Sequence, residues 1–88
     1  MKAIKKSTLL KLVIFTLSYA NTGNQYYLSQ RIDVAKELAK QAYGRDTAWL
    51  AFVDFAESTC GIFALWGNCT NEDFYSLFRA MGFEVLDE

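Results

Sequence analysis

Apolar side chains recur every four positions in residues 29–43, and the pattern stops before Gly44. This spacing is typical of an amphipathic helix, because positions four apart lie on the same helical face. Glycine is common directly after a helix, where it adopts the left-handed conformation. We therefore predict a helix over residues 29–43, with Ser29 or Asp33 as its N-cap.

A second helix is predicted over residues 70–81, and its start has a capping signature. Thr70 is followed three positions later by Asp73, a variant of the capping box in which two side chains bond free backbone N–H groups. The buried stripe of this helix is expected at Phe74, Leu77, Phe78 and Met81. Gly82 follows the stripe and is expected to end the helix.

Four other segments have the composition of strands. Residues 12–17 and 62–66 are short apolar runs with β-branched and aromatic side chains, as expected for strands buried on both faces. Residues 47–58 and 83–88 alternate between two faces, which is the period of a strand. The three alanines of the 47–58 segment are equally compatible with a helix.

The predicted order of elements is therefore β-α-β-β-α-β, in a single domain of residues 1–88. This is the split βαβ or ferredoxin-like arrangement, an α+β fold with an antiparallel sheet and two helices on one of its faces. The alternative is an all-α four-helix bundle, with helices near residues 5–19, 29–43, 46–58 and 70–81.

The start of the chain allows three interpretations. Basic residues precede an apolar stretch that ends near Ala20, as in a secretory signal peptide cut after that residue. Lys11 interrupts the stretch and leaves a clean run only at residues 12–17, which favours a strand. The third interpretation is an amphipathic helix with an apolar face at Leu10, Val13, Ile14 and Leu17.

The two cysteines, Cys60 and Cys69, bear on the compartment of the protein. If the residues between them form an extended strand, the cysteines lie roughly 30 Å apart, at about 3.3 Å per residue. A disulfide requires Cα atoms within about 7 Å of each other. We therefore expect free thiols, which fit a reducing cytoplasm, and we predict a cytoplasmic location without membrane association.

The composition argues against an enzyme. The chain has 88 residues, of which 52% are hydrophobic, and it contains no histidine and no proline. It therefore lacks the commonest general base and the commonest metal ligand, and two cysteines alone do not complete a zinc site. The glycines do not form a phosphate-binding loop. We expect no catalytic residue, no cofactor and no metal.

Charge is distributed unevenly between the two halves of the chain. Residues 1–45 carry eight basic and two acidic side chains, a net charge of +6, whereas residues 46–88 carry one basic and eight acidic side chains, a net charge of −7. Either the halves neutralise each other within the fold, or the basic half forms a patch for nucleic acid, or the acidic half faces a basic partner. The expected acidic surface consists of Glu72, Asp73, Glu84, Asp87 and Glu88.

The predicted sheet has more apolar surface than two helices can cover. One face of such a sheet is normally solvated, but here both faces of its strands are apolar. Either a partner covers the excess, or residues 21–30 fold over it as a loop with Tyr26 and Tyr27. The expected partner interface consists of Phe15, Leu50, Phe52, Phe63 and Leu65.

We therefore expect a non-enzymatic protein-interaction domain. It acts either as a homodimer or as an inhibitor or adaptor that binds a larger protein. Phage- and plasmid-borne inhibitors of host defence often have this size, which is an association by length alone. The alternative is a module that stacks single-stranded RNA or DNA on aromatic side chains of the open sheet face.

Overall fold

The computed structural model describes the backbone of residues 2–66 and 70–88, and the side chains of residues 2–58 and 70–88. Along the chain the elements are β1 (Lys2–Lys5), α1 (Lys6–Thr22), α2 (Gln25–Tyr43), α3 (Trp49–Trp66), α4 (Asn71–Ala80) and β2 (Phe83–Leu86). β1 and β2 pair in parallel, with Ile4 opposite Val85, so the two ends of the chain form one two-stranded sheet.

This architecture contradicts the predicted ferredoxin-like fold. The described residues form four helices and a two-stranded parallel sheet, instead of an antiparallel four-stranded sheet with two helices. The alternative prediction, a bundle of four helices, is closer to the structure. Neither prediction includes a parallel pair of strands.

Residues 12–17, predicted to form the first strand, lie in the middle of α1. The buried side chains of α1 lie three and four positions apart, on one helical face: Leu9, Leu12, Val13 and Thr16. The hydroxyl of Thr16 donates a 2.7 Å hydrogen bond to the carbonyl oxygen of Leu12, which satisfies this buried polar group. The strand prediction is wrong because packing outweighs the weak strand preference of β-branched residues.

The predicted second and third strands, residues 47–58 and 62–66, are largely contained in a single helix, α3. Phe52 and Ala56 are buried and lie four positions apart, on one face of the helix. Leu50, which an alternating strand places beside Phe52, is 56% exposed, whereas Phe52 is fully buried. Both strand predictions are wrong. The short apolar run of residues 62–66 fits a helix as well as a strand, and the alternation in residues 47–58 coincides with a helical face that carries Phe52 and Ala56.

The predicted helix over residues 29–43 is confirmed in α2, but α2 begins one turn earlier. Its N-cap is Asn24, whose side-chain oxygen accepts a 2.9 Å hydrogen bond from the backbone N–H of Tyr26. The predicted N-caps, Ser29 and Asp33, are wrong, since both residues lie inside the helix.

Short connections join α1 to α2 and α2 to α3. Gly44 ends α2 as predicted, with a φ of 76° and a 2.8 Å hydrogen bond from its N–H to the carbonyl oxygen of Lys40. Residues 21–30, predicted as a covering loop, contain only two non-helical residues, Gly23 and Asn24. The predicted covering loop is therefore wrong, because two non-helical residues are too few to fold over an apolar face.

The last predicted helix and the strand after it are confirmed as α4 and β2. The capping box forms as predicted: the N–H of Thr70 donates to Asp73 Oδ2 at 2.8 Å, and the N–H of Asp73 donates to Thr70 Oγ1 at 3.3 Å. The predicted buried stripe is correct at Phe74 and Phe78, but Met81 is 42% exposed.

One hydrophobic core joins both strands to the four helices. At its centre, the ring centroid of Phe83 lies 5.3 Å from that of Phe52 and 6.0 Å from that of Phe78. The large side chains that are fully buried come from five elements: Ile4, Leu9, Leu12, Leu38, Phe52, Phe74 and Phe78. The core therefore fixes β1 and β2 against the helices.

The helical assignment of α3 predicts very different roles for two neighbouring residues. Phe52→Ala is expected to lower the free energy of unfolding by about 3–5 kcal/mol, because it opens a cavity in the core. Leu50→Ala is expected to change it by less than about 0.5 kcal/mol, because the side chain is exposed. Urea denaturation of both variants measures the difference. Equal losses would contradict the helix and favour a strand buried on both faces.

Candidate functional site

The outward side of α1 carries exposed apolar side chains. Ile14 is 50% exposed and Leu17 is 43% exposed, while Leu10 is partly exposed. These positions are spaced by four and three residues, so they form a continuous row along the helix. We call Leu10, Ile14 and Leu17 the α1 stripe. The stripe lies beside the buried face that packs into the core.

α1 is therefore apolar around most of its circumference. Its charged residues are Lys6, at the first position, and Lys11, and it has no acidic residue. A helix of this kind is typically buried on more than one side. The stripe also fits the a and d positions of a heptad, with Ile14 at a, the two leucines at d, and Asn21 at the next a position. This pattern favours contact with another helix.

The structure separates the residues of the interface predicted from the sequence. Leu50 is exposed, Phe52 is buried in the core, and Phe15 is half-buried with its ring centroid 6.4 Å from that of a tyrosine of α2. Phe63 and Leu65 belong to α3, but their side chains lie outside the described residues. The alternation that groups Leu50 with Phe52 does not apply to a helix, and the interface role of these residues stays a prediction.

The side chains of Cys60 and Cys69 also lie outside the described residues. Cys60 belongs to α3, so the extended spacing on which the expectation of free thiols depends is wrong. The thiol state of both cysteines therefore stays a prediction, as does the compartment inferred from it.

Acidic side chains of the second half of the chain contact lysines of the first half. Lys6 Nζ lies 2.6 Å from Asp87 Oδ1 and 3.5 Å from Glu72 Oε1. Lys5 Nζ lies 3.9 Å from Glu88 Oε2. These contacts favour the interpretation in which the two halves neutralise each other within the fold.

The remaining two residues of the predicted acidic surface differ from each other. Asp73 is held in the capping box of α4. Glu84, in β2, is exposed and forms no ion pair with any residue whose side chain is described. Of the five predicted acidic residues, Glu84 is thus the one that neither caps a helix nor contacts a described cation.

Lys6 is the centre of the ion-pair cluster, and two pKa values shift as a result. The hydrogen bond to Asp87 raises the pKa of Lys6, and the attraction of Asp87 and Glu72 adds to this effect. The same hydrogen bond lowers the pKa of Asp87. The ammonium group also lies 5.2 Å from the ring centre of Tyr75, a cation–π contact that connects α1 with α4.

Arg31 is the one buried charged residue among those whose side chains are described. Its Nη1 lies 3.0 Å from Glu57 Oε1, and its Cζ lies 5.3 Å from the ring centre of Tyr19. Its Nε has no hydrogen-bond partner in the described part of the chain. Because Arg31 links α2 to α3 and to α1, we assign it a structural role in the packing of the three helices.

Another surface combines basic and aromatic side chains. Lys36, Lys40 and Tyr43 share one face of α2, because they lie four and three positions apart. Lys2 Nζ lies 4.8 Å from the ring centre of Tyr43, and Lys36 Nζ lies 5.7 Å from that of Trp49. None of these lysines forms an ion pair with a described side chain. We call these five residues the basic–aromatic patch.

Comparison with protein-family models, with curated proteins and with solved structures finds no match to this chain. Among the residues with described positions, no group of three His, Cys, Asp or Glu side chains is arranged to hold a metal ion. Within the same part of the chain, each helix is too short or too polar to span a lipid bilayer.

Sequence reasoning missed the strand β1 and only partly recognised the α1 stripe. β1 has the sequence Lys-Ala-Ile-Lys, which is too short to show a strand period, although Ile4 between polar neighbours is consistent with one buried position. The amphipathic-helix interpretation includes the stripe residues, but it groups them with Val13, which is buried. Exposure of the stripe follows from the tertiary contacts of α1, which the pattern alone does not contain.

The contact between Lys6 and Asp87 is expected to make stability depend on pH at both extremes. Because folding lowers the pKa of Asp87, its contribution is present above the unfolded value of 3.8 and is lost as the pH falls through the folded-state pKa. Because folding raises the pKa of Lys6, its contribution is complete below 10.5 and is lost as the pH rises through the folded-state pKa. Asp87→Asn should therefore flatten the acid side of the stability profile.

The melting temperature of the Asp87→Asn variant, followed by circular dichroism from about pH 2 to pH 7, tests this expectation. Glu84→Gln is the matched control, because Glu84 is an exposed carboxylate without an ion pair among the described residues. An Asp87→Asn profile that runs parallel to that of the unmodified chain would contradict the prediction.

Proposed function

We propose that this chain is a non-enzymatic protein-interaction domain that forms a homodimer through α1. The observation that carries the proposal is the α1 stripe. Ile14 and Leu17 are about half exposed on a helix whose adjacent face is already buried in the core. Exposed apolar residues at helical spacing are typical of a surface that another helix covers.

The partner that fits the α1 stripe best is α1 of a second copy. In an antiparallel pair centred between Ile14 and Leu17, each Ile14 faces Leu17 of the other copy. Lys11, at an e position, then lies near the uncharged Ser18 of the other copy, whereas in a parallel pair it lies near Lys6, at a g position of the other copy, and the like charges repel. Two identical helices in this orientation are related by a two-fold axis, the commonest symmetry of protein dimers.

The expected affinity of the dimer is modest. α1 has 17 residues and is therefore about 26 Å long, at 1.5 Å per residue. Contact between two such helices buries less than the roughly 800 Å² per partner of a standard interface. We therefore expect a dissociation constant in the micromolar range, so that the monomer and the dimer coexist.

The inhibitor or adaptor version of the interaction hypothesis has less support than the homodimer. It requires the acidic half of the chain to face a basic partner, but Glu72, Asp87 and Glu88 already contact lysines of the same chain. The proposal of a phage- or plasmid-borne inhibitor rests on chain length alone, and the proposal of a cytoplasmic location rests on the composition of the sequence.

Sedimentation velocity tests the homodimer. The unmodified chain is expected to show a monomer–dimer equilibrium between about 1 and 500 µM. Ile14→Glu places a charge at the centre of the contact and is expected to raise the dissociation constant by roughly tenfold or more. Because Ile14 is half exposed in the monomer, the variant should keep the helical circular dichroism signal of the unmodified chain.

Leu50→Glu is the matched control, because Leu50 is an apolar residue of similar exposure on α3. Loss of the dimer in Ile14→Glu, together with a dimer that survives Leu50→Glu, supports the proposal. An unmodified chain that remains monomeric at the highest concentration contradicts it. A dimer that only Leu50→Glu disrupts also contradicts it and favours the interface predicted from the sequence.

A second candidate function is binding of single-stranded RNA or DNA, which the basic–aromatic patch favours. The four-stranded sheet that the sequence-based version of this hypothesis requires is absent from the described residues. The patch offers another platform, because Lys36 and Lys40 can attract phosphates beside the rings of Tyr43 and Trp49. Proteins that bind single strands combine cations with aromatic rings in this way.

Fluorescence anisotropy with a labelled single strand of about 12 nucleotides tests this second function. A Lys36→Glu/Lys40→Glu variant is expected to bind at least about tenfold more weakly and to reduce the slope of log affinity against log salt by about 1.4. Lys11→Glu is the control, since Lys11 is an exposed cation outside the patch. Absence of binding at low salt, or an equal loss in both variants, would count against the patch.

A further inference from the structure

One edge of β2 receives no hydrogen bond from the described part of the chain. In a two-stranded sheet each strand has one paired edge and one edge without a ladder partner. In β1 the second edge faces α2, because the N–H of Lys5 donates a 2.8 Å hydrogen bond to Gln41 Oε1. Among the hydrogen bonds between described residues, none reaches the corresponding edge of β2.

The pairing of the strands shows which backbone groups of β2 point outward. In a parallel pair, alternate residues of each strand direct both their N–H and their C=O groups toward the partner. Since Lys5 directs its N–H to α2, it is Ile4 that bonds to β2. Ile4 lies opposite Val85 and therefore bonds to the residues on either side of Val85. The N–H and C=O groups of Val85 must then point away from β1.

A second hydrogen bond confirms which residues of β2 direct their backbone groups toward β1. The carbonyl oxygen of Glu88 accepts a 2.9 Å hydrogen bond from the N–H of Ser7, at the start of α1. Glu88 therefore faces the side of β1, as do Leu86 and Glu84 at two-residue spacing. Val85, between them, has an N–H and a C=O group that point to the open edge of β2 and have no hydrogen-bond partner among the described residues.

The side chains of β2 divide between the core and the solvent. Phe83 is buried, and Val85 packs against the core, so the inner face holds the strand in place. Glu84 and Leu86 share the outer face, where Glu84 is exposed and Leu86 is partly buried. A strand added at the open edge would place alternate side chains beside Glu84 and Leu86.

We propose that the open edge of β2 binds an extended segment of a partner protein that carries a basic and an apolar residue two positions apart. The backbone of the segment bonds to Val85, as in other complexes formed by strand addition. Its basic side chain meets Glu84, which has no ion pair among the described residues, and its apolar side chain meets Leu86.

A second copy of β2 fits this edge less well than a basic segment. β2 and the residues after it carry Glu84, Asp87 and Glu88, so two such strands side by side bring like charges together. The edge belongs to a different element from the α1 stripe. The two surfaces are therefore separate, and this inference does not depend on the homodimer.

A designed peptide, acetyl-Thr-Lys-Val-Leu-Thr-Lys-Val-amide, is the probe for this site. It presents two lysines and a leucine on one face and suits either strand direction. In a titration of the isotope-labelled chain followed by nuclear magnetic resonance, the largest shifts are expected at Phe83–Leu86, with slower hydrogen exchange at the N–H of Val85. The same peptide with glutamates in place of lysines is expected to bind roughly tenfold more weakly.

Two variants of the chain test the backbone and the charge separately. Val85→Pro removes the outward N–H without removing a bond between β1 and β2, and it is expected to abolish binding of the peptide. Because Val85 also contacts the core, Glu84→Lys provides a test at an exposed position. It is expected to weaken binding of the lysine peptide roughly tenfold and to strengthen binding of the glutamate peptide.

The inference is supported if Glu84→Lys binds the glutamate peptide more tightly than the lysine peptide, while Ile14→Glu binds the lysine peptide as tightly as the unmodified chain does. No shifts at about 2 mM of the lysine peptide would overturn it, because strand addition of this length should be measurable at that concentration. Shifts centred on another surface, or equal affinity for both peptides, would also overturn it. Because Ile14→Glu disrupts only the proposed dimer, peptide binding by this variant tests the β2 edge separately from the homodimer.

Discussion

The parallel pairing of β1 with β2 joins the two ends of the chain, and the arrangement of the helices depends on it. Two parallel strands require a long crossover connection, which here consists of all four helices. A two-stranded sheet is marginally stable without other support. It is stabilised by Ile4 and Phe83, which enter the core, and by Lys6, which contacts Asp87 just beyond β2. Core and strand pairing therefore support each other.

Ion pairs between residues that are distant in the sequence partly balance the uneven charge of the chain. Lys5 and Lys6 contact acidic residues near the other end of the chain, and Arg31 contacts Glu57 within the bundle. The charges that remain without ion pairs among the described residues include the lysines of the basic–aromatic patch and Glu84 on β2. The described surface thus includes the basic–aromatic patch, the apolar stripe on α1 and an acidic residue, Glu84, beside the open edge of β2.

The elements with distinct capping residues could be predicted from the sequence. The capping box of Thr70 and Asp73 located α4, and Gly44 located the end of α2, because these signals act over a few neighbouring residues. α1 and α3 could not be assigned in this way. Their apolar runs fit either a helix or a strand, and the choice depends on packing against distant residues.

For the candidate site, too, local sequence predicts some features, whereas others depend on contacts between distant residues. Ion pairing between the basic and the acidic half of the chain could be anticipated from composition. That Lys6 is the centre of the ion-pair cluster could not, because it depends on the position of β2. Exposure of Ile14 and burial of Phe52 follow from the arrangement of the helices. β1 is defined mainly by its partner strand, so its short sequence carries almost no signal of its own.

The pairing of Ile4 with Val85 also has a consequence for the order of folding during synthesis. α1 and α2 are neighbours in the sequence, so their contacts can form while later residues are still being added. β1 is synthesised before the four helices, but it cannot pair until β2 has been added. Until β2 is made, β1 lacks its partner strand and Ile4 lacks the core that buries it. Unpaired strands and exposed apolar side chains of this kind make folding intermediates prone to aggregate.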